Sequence, residues 1–156
     1  MSRKTPATVV LDKAGLEYEL FTYEYDPSAE QIGLHAAESL GENPARVLKT
    51  LMALVDGKPV CVVVPSDREV AMKKLAAAAG GKSAQMMRPA DAERVTGYKV
   101  GGISPFGQKK AAPVFVEAGA MGHERVYVNG GQRGLQIRLQ PQALVEGLRA
   151  KVAPLV

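Results

Sequence analysis

Val60-Cys61-Val62-Val63-Val64 is an unbroken apolar run bounded by Asp56-Gly57 on one side and Pro65 on the other. Side chains alternate faces along a strand, so a strand of this composition has no solvent side and predicts a central position covered on both faces. Asp56-Gly57 is a strong hairpin dipeptide, and from Val47 to Val55 apolar residues recur roughly every second place. The two runs predict an antiparallel pair in the middle of a sheet, with Pro65 closing the second strand.

The flanking segments supply helices and further strands. Thr5-Pro6 is a cap-and-first-turn pair, and Val9, Val10 and Leu11 before Gly15 predict a short helix. Tyr18 to Tyr25 is rich in aromatic residues and ends at Asp26-Pro27, which predicts a strand closed by a turn. Leu34 to Leu40 has helical spacing up to Gly41, and Asn43-Pro44 repeats the cap-plus-proline device for another helical turn. Ser66 or Asp67 is expected to cap a helix over 69–79 whose stripe is Met72, Leu75, Ala76 and Ala79, stopped by Gly80-Gly81. A short helix is expected over 89–95, a loop over 101–107, and strands over 113–116 and 125–128. Leu135, Ile137 and Leu139 alternate with Gln136, Arg138 and Gln140, the pattern of a half-buried strand, and Pro141 opens a terminal helix. With hairpins in place of regular βαβ alternation, the fold class is α+β: a mixed, largely antiparallel, barrel-like sheet surrounded by helices.

The chain's 156 residues suit a single domain, and 46% hydrophobic residues suffice for a core without staples. The net charge of +4 permits a polyanionic partner without requiring one. Cys61 is the single cysteine, so no internal disulfide forms, and no Cys and His cluster signals a metal. The first residues lack the apolar core of a secretion signal, and no run reaches the ~20 apolar residues of a membrane span, so a cytoplasmic location and no membrane partner are expected.

Chemistry concentrates in few places. Tyr98 to Lys110 holds Gly101, Gly102, Ser104, Pro105 and Gly107 close together. Such bare, stiffened backbone serves either as a tight surface turn or as an oxyanion hole made of N–H groups. Gly102 and Gly107 have P-loop spacing, but Gln108 and Lys109 follow where Lys and then Ser or Thr are needed. Asn129-Gly130-Gly131-Gln132-Arg133-Gly134 lacks the dinucleotide fingerprint and lies between two strand patterns, so it is a hairpin turn, or a turn that presents backbone and Arg133 at a pocket rim. Lys49-Thr50 interrupts an apolar strand. Lys49 there is either a snorkelling lysine or a cation lining a cleft. His35, His123 and Cys61 stand in no nucleophile arrangement and are assigned no role.

Five blocks in order, Thr5-Pro6-Ala7, Thr22 to Pro27, Leu48-Lys49-Thr50-Leu51, Thr96 to Lys110 and Tyr127 to Gly134, resemble the YbaK/EbsC family over nearly the whole chain. Gly101 to Pro105 matches the family's G-x-x-x-P pattern. The resemblance is to the Cys-tRNA(Pro) deacylase branch, related to the editing insertion of prolyl-tRNA synthetase. It implies one editing domain over 1–156, with a cleft for the charged 3′ end of tRNA. Lys49 would position the terminal nucleotide or ester, and the Gly101 and Gly102 backbone would hold the carbonyl. Tyr23, Ile32, Thr50, Ser104, Pro105, Asn129 and Gly131 would bind substrate. The family uses no metal, cofactor or protein nucleophile, and in this branch the substrate's own thiol is proposed to attack its ester. Partners implied are mischarged tRNA and prolyl-tRNA synthetase, not DNA. Asn129 stands where serine is common in the branch and Ile32 where an aromatic side chain occurs, which bears on amino-acid specificity. The alternatives are a deacylase for Ala-, Ser- or Thr-charged tRNA and a noncatalytic tRNA- or synthetase-binding module. Lys73, Lys74, Lys109 and Lys110 are either tRNA-backbone contacts or solvated surface charge.

Overall fold

Helix α1 (Pro6–Ala14) begins and ends where its sequence dictates. Thr5 forms a capping box with Thr8: its hydroxyl accepts from the Thr8 N–H while the Thr8 hydroxyl accepts from the Thr5 N–H. Gly15, left-handed at φ 69°, closes the helix. The computed structural model of the protein describes residues 4–28 and 32–156, with Ile32 and Gly33 described in their backbone alone. Strand β1 (Glu19–Thr22) and helix α2 (Ile32–Leu40) follow. Asn43-Pro44 gives a single turn in which the Asn43 side chain accepts from the Ala45 N–H.

The central hairpin forms as its apolar pattern requires. β2 (Leu48–Val55) pairs antiparallel with β3 (Lys58–Pro65) around the Asp56-Gly57 turn. Cys61 and Val63 enter one core cluster with Leu11, Phe106, Ile137 and Leu144, whereas Val60, Val62 and Val64 enter a second with Leu75, Phe115 and Leu155. Both faces of β3 are therefore buried, as predicted. α3 (Met72–Ala78) buries Leu75 and Ala76. It starts later than expected and Ala71, not Ser66 or Asp67, is its cap, because the Ser66 hydroxyl is engaged by the Val47 carbonyl. β4 (Ala84–Met86) and α4 (Pro89–Thr96) come next. β5 (Val114–Glu117), a 3₁₀ turn (Ala118–Gly122), β6 (Val126–Asn129), β7 (Leu135–Leu139), α5 (Pro141–Leu148) and β8 (Lys151–Ala153) complete the chain.

The strands form two sheets: β4-β2-β3-β5-β8, with β3-β5 and β5-β8 parallel, and β1-β7-β6, wholly antiparallel. The fold is α+β and largely antiparallel, but the expected barrel-like closure gives way to two sheets joined by a single parallel bridge, Val47 to Tyr127, among the described residues. The physical reason lies in β2. Its N-terminal end bonds toward β6 at Val47, its C-terminal end pairs with β4 from Ala53 onward, and the outer edge between them pairs with no strand among the described residues.

Candidate functional site

That unpaired stretch of β2 is where the chain opens. A cleft of about 390 Å³ lies along it, walled by 47–52 of β2, by Met86, Met87, Pro89 and Ala92 from β4 to α4, by Val100, Gly101 and Ile103, and by Tyr23, Asn129 and Gln136 from the smaller sheet. The volume falls at the small end of ligand sites. The cleft is thus the parting line between the two sheets, and the residues at a parting line are fixed by rigid strands on either side.

Its polar groups are unusual in being unused. The Tyr23 hydroxyl, Thr50 Oγ1 and Gln136 Oε1 are buried and without a hydrogen-bond partner among the described residues, and all three residues line this cleft. Leaving a buried polar atom unmatched costs about 1–3 kcal/mol, so these three are groups that a polar ligand or water entering the cleft would satisfy. Burial pushes the Tyr23 hydroxyl above its ordinary value; the Gly134 backbone and the Gln136 amide lie near enough to oppose this but not in hydrogen-bonding geometry, so it remains protonated. Lys49 is the one cation and Glu69 the one carboxylate among the lining residues.

The glycine-rich loop meets the cleft at one end. Gly101 lines it with φ 91°, its carbonyl accepts from Asn129 Nδ2 at 3.2 Å, and its N–H has no partner among the described residues. The Gly102 N–H, by contrast, donates to the Lys99 carbonyl at 2.8 Å. Of the two glycines, then, Gly101 has the uncommitted N–H and Gly102 closes the turn behind it. Asn129 spends its whole amide on backbone, since its Oδ1 also accepts from the N–H groups of Gly131 (2.7 Å) and Gln132 (3.2 Å).

Of the residues expected to bind substrate, Tyr23, Lys49, Thr50, Gly101 and Asn129 meet at the cleft. Ser104 and Pro105 are buried away from it, with the Ser104 hydroxyl accepting from the Phe106 N–H. Gly131 lies behind Asn129, and a Cβ there would sit 2.9 Å from the Tyr98 ring. The Ile32 side chain lies outside the described residues. Sequence reasoning missed Gln136, Ser66, Glu69, Met86 and Met87. Gln136 reads as a solvent-facing residue of an alternating strand, yet it is 4% exposed because the outward face of β7 is the cleft wall. Only its position opposite Asn129 in the β6–β7 register could have flagged it.

The cleft holds no activated protein nucleophile among the described residues. Cys61 is fully buried, contacts the Gln108 amide, and burial pushes its thiol up to about 12. The Ser66 hydroxyl is committed to Val47. His35 binds the Glu24 carbonyl at 3.0 Å and meets the Tyr23 ring edge-on, while His123 lies elsewhere, beside Arg125. Among the described residues no group of three or more His, Cys, Asp or Glu is placed to hold a metal, and no helix is long and apolar enough to cross a membrane.

Comparison with known proteins assigns this arrangement to a class. A family model for the aminoacyl-tRNA editing domain matches residues 27–146, and the chain belongs to that family. Over 130 residues it is 40% identical to an Enterococcus faecalis protein named "Putative Cys-tRNA(Pro)/Cys-tRNA(Cys) deacylase EbsC", covering 83% of this chain and 77% of that one. It is 29% identical over 119 residues to the proline–tRNA ligase of Acidithiobacillus ferrooxidans, covering 72% of this chain and 21% of the ligase. The crystal structure of hypothetical protein APE2540 has the same fold, with TM-score 0.86 and 25% identity over 97% of this chain and 99% of that one.

Proposed function

We propose that the protein is a trans-editing aminoacyl-tRNA deacylase that removes cysteine from Cys-tRNA(Pro). The observation that carries this reading is the cleft itself: one cation, one unpartnered backbone N–H and three unmatched buried polar atoms, with no activated nucleophile beside them. An aminoacyl ester is already reactive, so a site that orients it and stabilises the developing oxyanion supplies much of the rate. Lys49 holds the terminal nucleotide or the ester oxygen, and the Gly101 N–H faces the carbonyl. The substrate's own thiol then attacks. Sulfur forms a bond to the carbonyl carbon, the ester C–O bond breaks, the thiol proton goes to the departing ribose hydroxyl, and a cyclic thioester leaves. The 40% identical relative bears a name that specifies cysteinyl esters, which supports the amino acid chosen.

A second reading rests on Glu69, the carboxylate at the cleft wall. It would act as general base on water, and the substrate would be an Ala-, Ser- or Thr-tRNA lacking a thiol. Hydrolysis of a panel of charged tRNAs by wild type, Lys49→Ala and Glu69→Gln separates the two. Substrate-thiol chemistry requires cysteinyl ester to turn over at least ~100-fold faster than alanyl ester, with Glu69→Gln near wild type and Lys49→Ala down by about 10²–10³. Equal rates on both esters, with loss in Glu69→Gln, select the second reading. A wild type no faster than buffer, with RNA binding intact, makes the protein a binding module. The similarity to part of a proline–tRNA ligase supports prolyl-tRNA synthetase as the partner that delivers the tRNA.

A further inference from the structure

Beside the ester site stands a second feature that the deacylation chemistry leaves unused. The Arg133 guanidinium lies over the Tyr25 ring, 5.1 Å from its centroid, and its Nε donates to the Val100 carbonyl at 3.0 Å. Val100 and Gly101 line the cleft, and a Cβ on Gly101 would fall 2.8 Å from the Tyr25 hydroxyl oxygen. Tyr25 and Arg133 therefore form the outer side of the same wall whose inner side is Gly101. Arg133 is exposed, and no carboxylate pairs with it among the described residues. The contrast is with Arg138, which also stacks on an aromatic ring, Phe21, but is neutralised by Glu19 at 2.7 Å. A guanidinium fixed at one nitrogen, backed by a ring and left with free forked donors is suited to a phosphate.

The cleft volume sets what reaches it. About 390 Å³ is of the order of one nucleoside with a small amino acid, and the cleft opens to solvent, so a second nucleotide lies at or beyond its mouth. A tRNA 3′ end seated with its terminal adenosine inside must place the preceding phosphodiester at the rim. We propose that Arg133, held by Tyr25 and Val100, binds the phosphodiester that joins the terminal adenosine to the nucleotide before it. This inference rests on the editing reading for the direction in which the RNA enters, but it concerns binding and is measured without turnover.

The test compares binding of the uncharged trinucleotide CCA with that of adenosine alone, for wild type, Arg133→Ala and Arg133→Lys, across a salt series. A single-strand phosphate contact contributes about 0.7 to the slope of log affinity against log salt. Arg133→Ala is expected to weaken CCA about 10-fold at low salt and lower the slope by ~0.7, with adenosine binding unaltered. Arg133→Lys keeps the charge and is expected to keep the slope. If Arg133→Ala weakens adenosine and CCA equally, Arg133 only props Val100 and the proposal falls. It falls equally if CCA binding and its slope do not change. Loss of the slope in Arg133→Ala, together with a wild type that hydrolyses no aminoacyl ester, keeps the phosphate site and removes the editing reading. Unaltered slopes with robust hydrolysis do the reverse.

Discussion

Thr50→Val replaces the one unmatched hydroxyl on β2 with a methyl of nearly the same volume. Its Oγ1 is buried without a partner, and Thr50 pairs in register with Val63, a position where a β-branched side chain fits. The unmatched hydroxyl costs about 1–3 kcal/mol, and since Thr50 is half-buried the lower part of that range applies, so the variant is expected to gain about 1–2 kcal/mol. For a chain of this size that is roughly 2–8 °C in Tm, with an unchanged denaturant slope. Deacylation moves the other way: loss of a hydrogen bond to substrate lowers kcat/KM by about 10-fold. The assay is urea unfolding followed by fluorescence or circular dichroism, paired with single-turnover deacylation. Thr50→Ser, which keeps the hydroxyl and loses the methyl, is the control and is expected to be less stable but active. A Thr50→Val protein less stable than wild type refutes the reasoning, because it means that the hydroxyl already has a partner in the free protein and is not held open for a ligand.

Glu117, 7% exposed, accepts from the N–H groups of Gly119 (2.6 Å), Leu155 (2.7 Å) and Val156 (3.2 Å). Burial alone would raise its carboxyl, but these donors outweigh that and hold it below its ordinary 4.5; its contribution to stability is present above that value and is lost as pH falls through the lowered one. Glu117→Gln should cost about 1.5–3 kcal/mol at pH 7 and much less near pH 3, and equal costs at both would show that the charge does not matter. Cys61 is expected to resist thiol reagents at pH 8 in the folded protein and to react at once in denaturant, while Cys61→Ala retains deacylation. Gly107→Ala forces φ 70° on a side chain and puts a Cβ 2.6 Å from the Pro6 backbone, whereas Gly15→Ala has φ 69° and open space. Unfolding curves should show about 2–5 kcal/mol lost for the first against ~1 for the second, and equal losses would rule out the contact between the loop and α1.

What the sequence made legible was local. Asp56-Gly57, Thr5-Pro6 with Gly15, and Pro141 act on their own neighbours, so the hairpin and the helix ends follow from residue identity. β4 and β8 do not, because three-residue strands are specified by what they pair with: Met86 with Ala53, Val152 with Val116. The cap of α3 was misread because Ser66 has a competing partner in Val47, 19 residues earlier. Gln136 was misread because alternation distinguishes one face of a strand from the other but not a solvent face from a cleft wall. For Lys49 and Gly101 the residue pattern left a functional and a plain reading open and only the resemblance favoured the first, since a lysine in a strand and a glycine in a loop are each common without function; the structure places both at the cleft.

Three of the five resembling blocks meet in the structure. The Thr5 hydroxyl that caps α1 also donates to the Gly130 carbonyl at 2.6 Å, and a Cβ on Gly131 would lie 3.2 Å from Thr5. Gly102 backs onto the Gln132–Arg133 peptide so closely that a Cβ would lie 2.8 Å from the Arg133 backbone nitrogen, and Gly107 backs onto Pro6 in the same way. Tyr98 closes the knot by donating its hydroxyl to the Phe106 carbonyl at 2.6 Å. Three segments far apart in sequence thus touch backbone to backbone, which only glycine at those points permits. The segment that read either as a turn or as a site is both at different residues: Gly102 and Gly107 serve packing, and that packing fixes where Gly101 presents its N–H. Asn129 completes the link by holding the Gly101 carbonyl and the Gly131 and Gln132 N–H groups at once. A serine at 129 is too short to span all three, so a chain carrying asparagine there sets Gly101 by a different length of side chain. Asn129 also lines the cleft, so the departure from the family pattern bears both on the pocket wall and on the position of the Gly101 backbone.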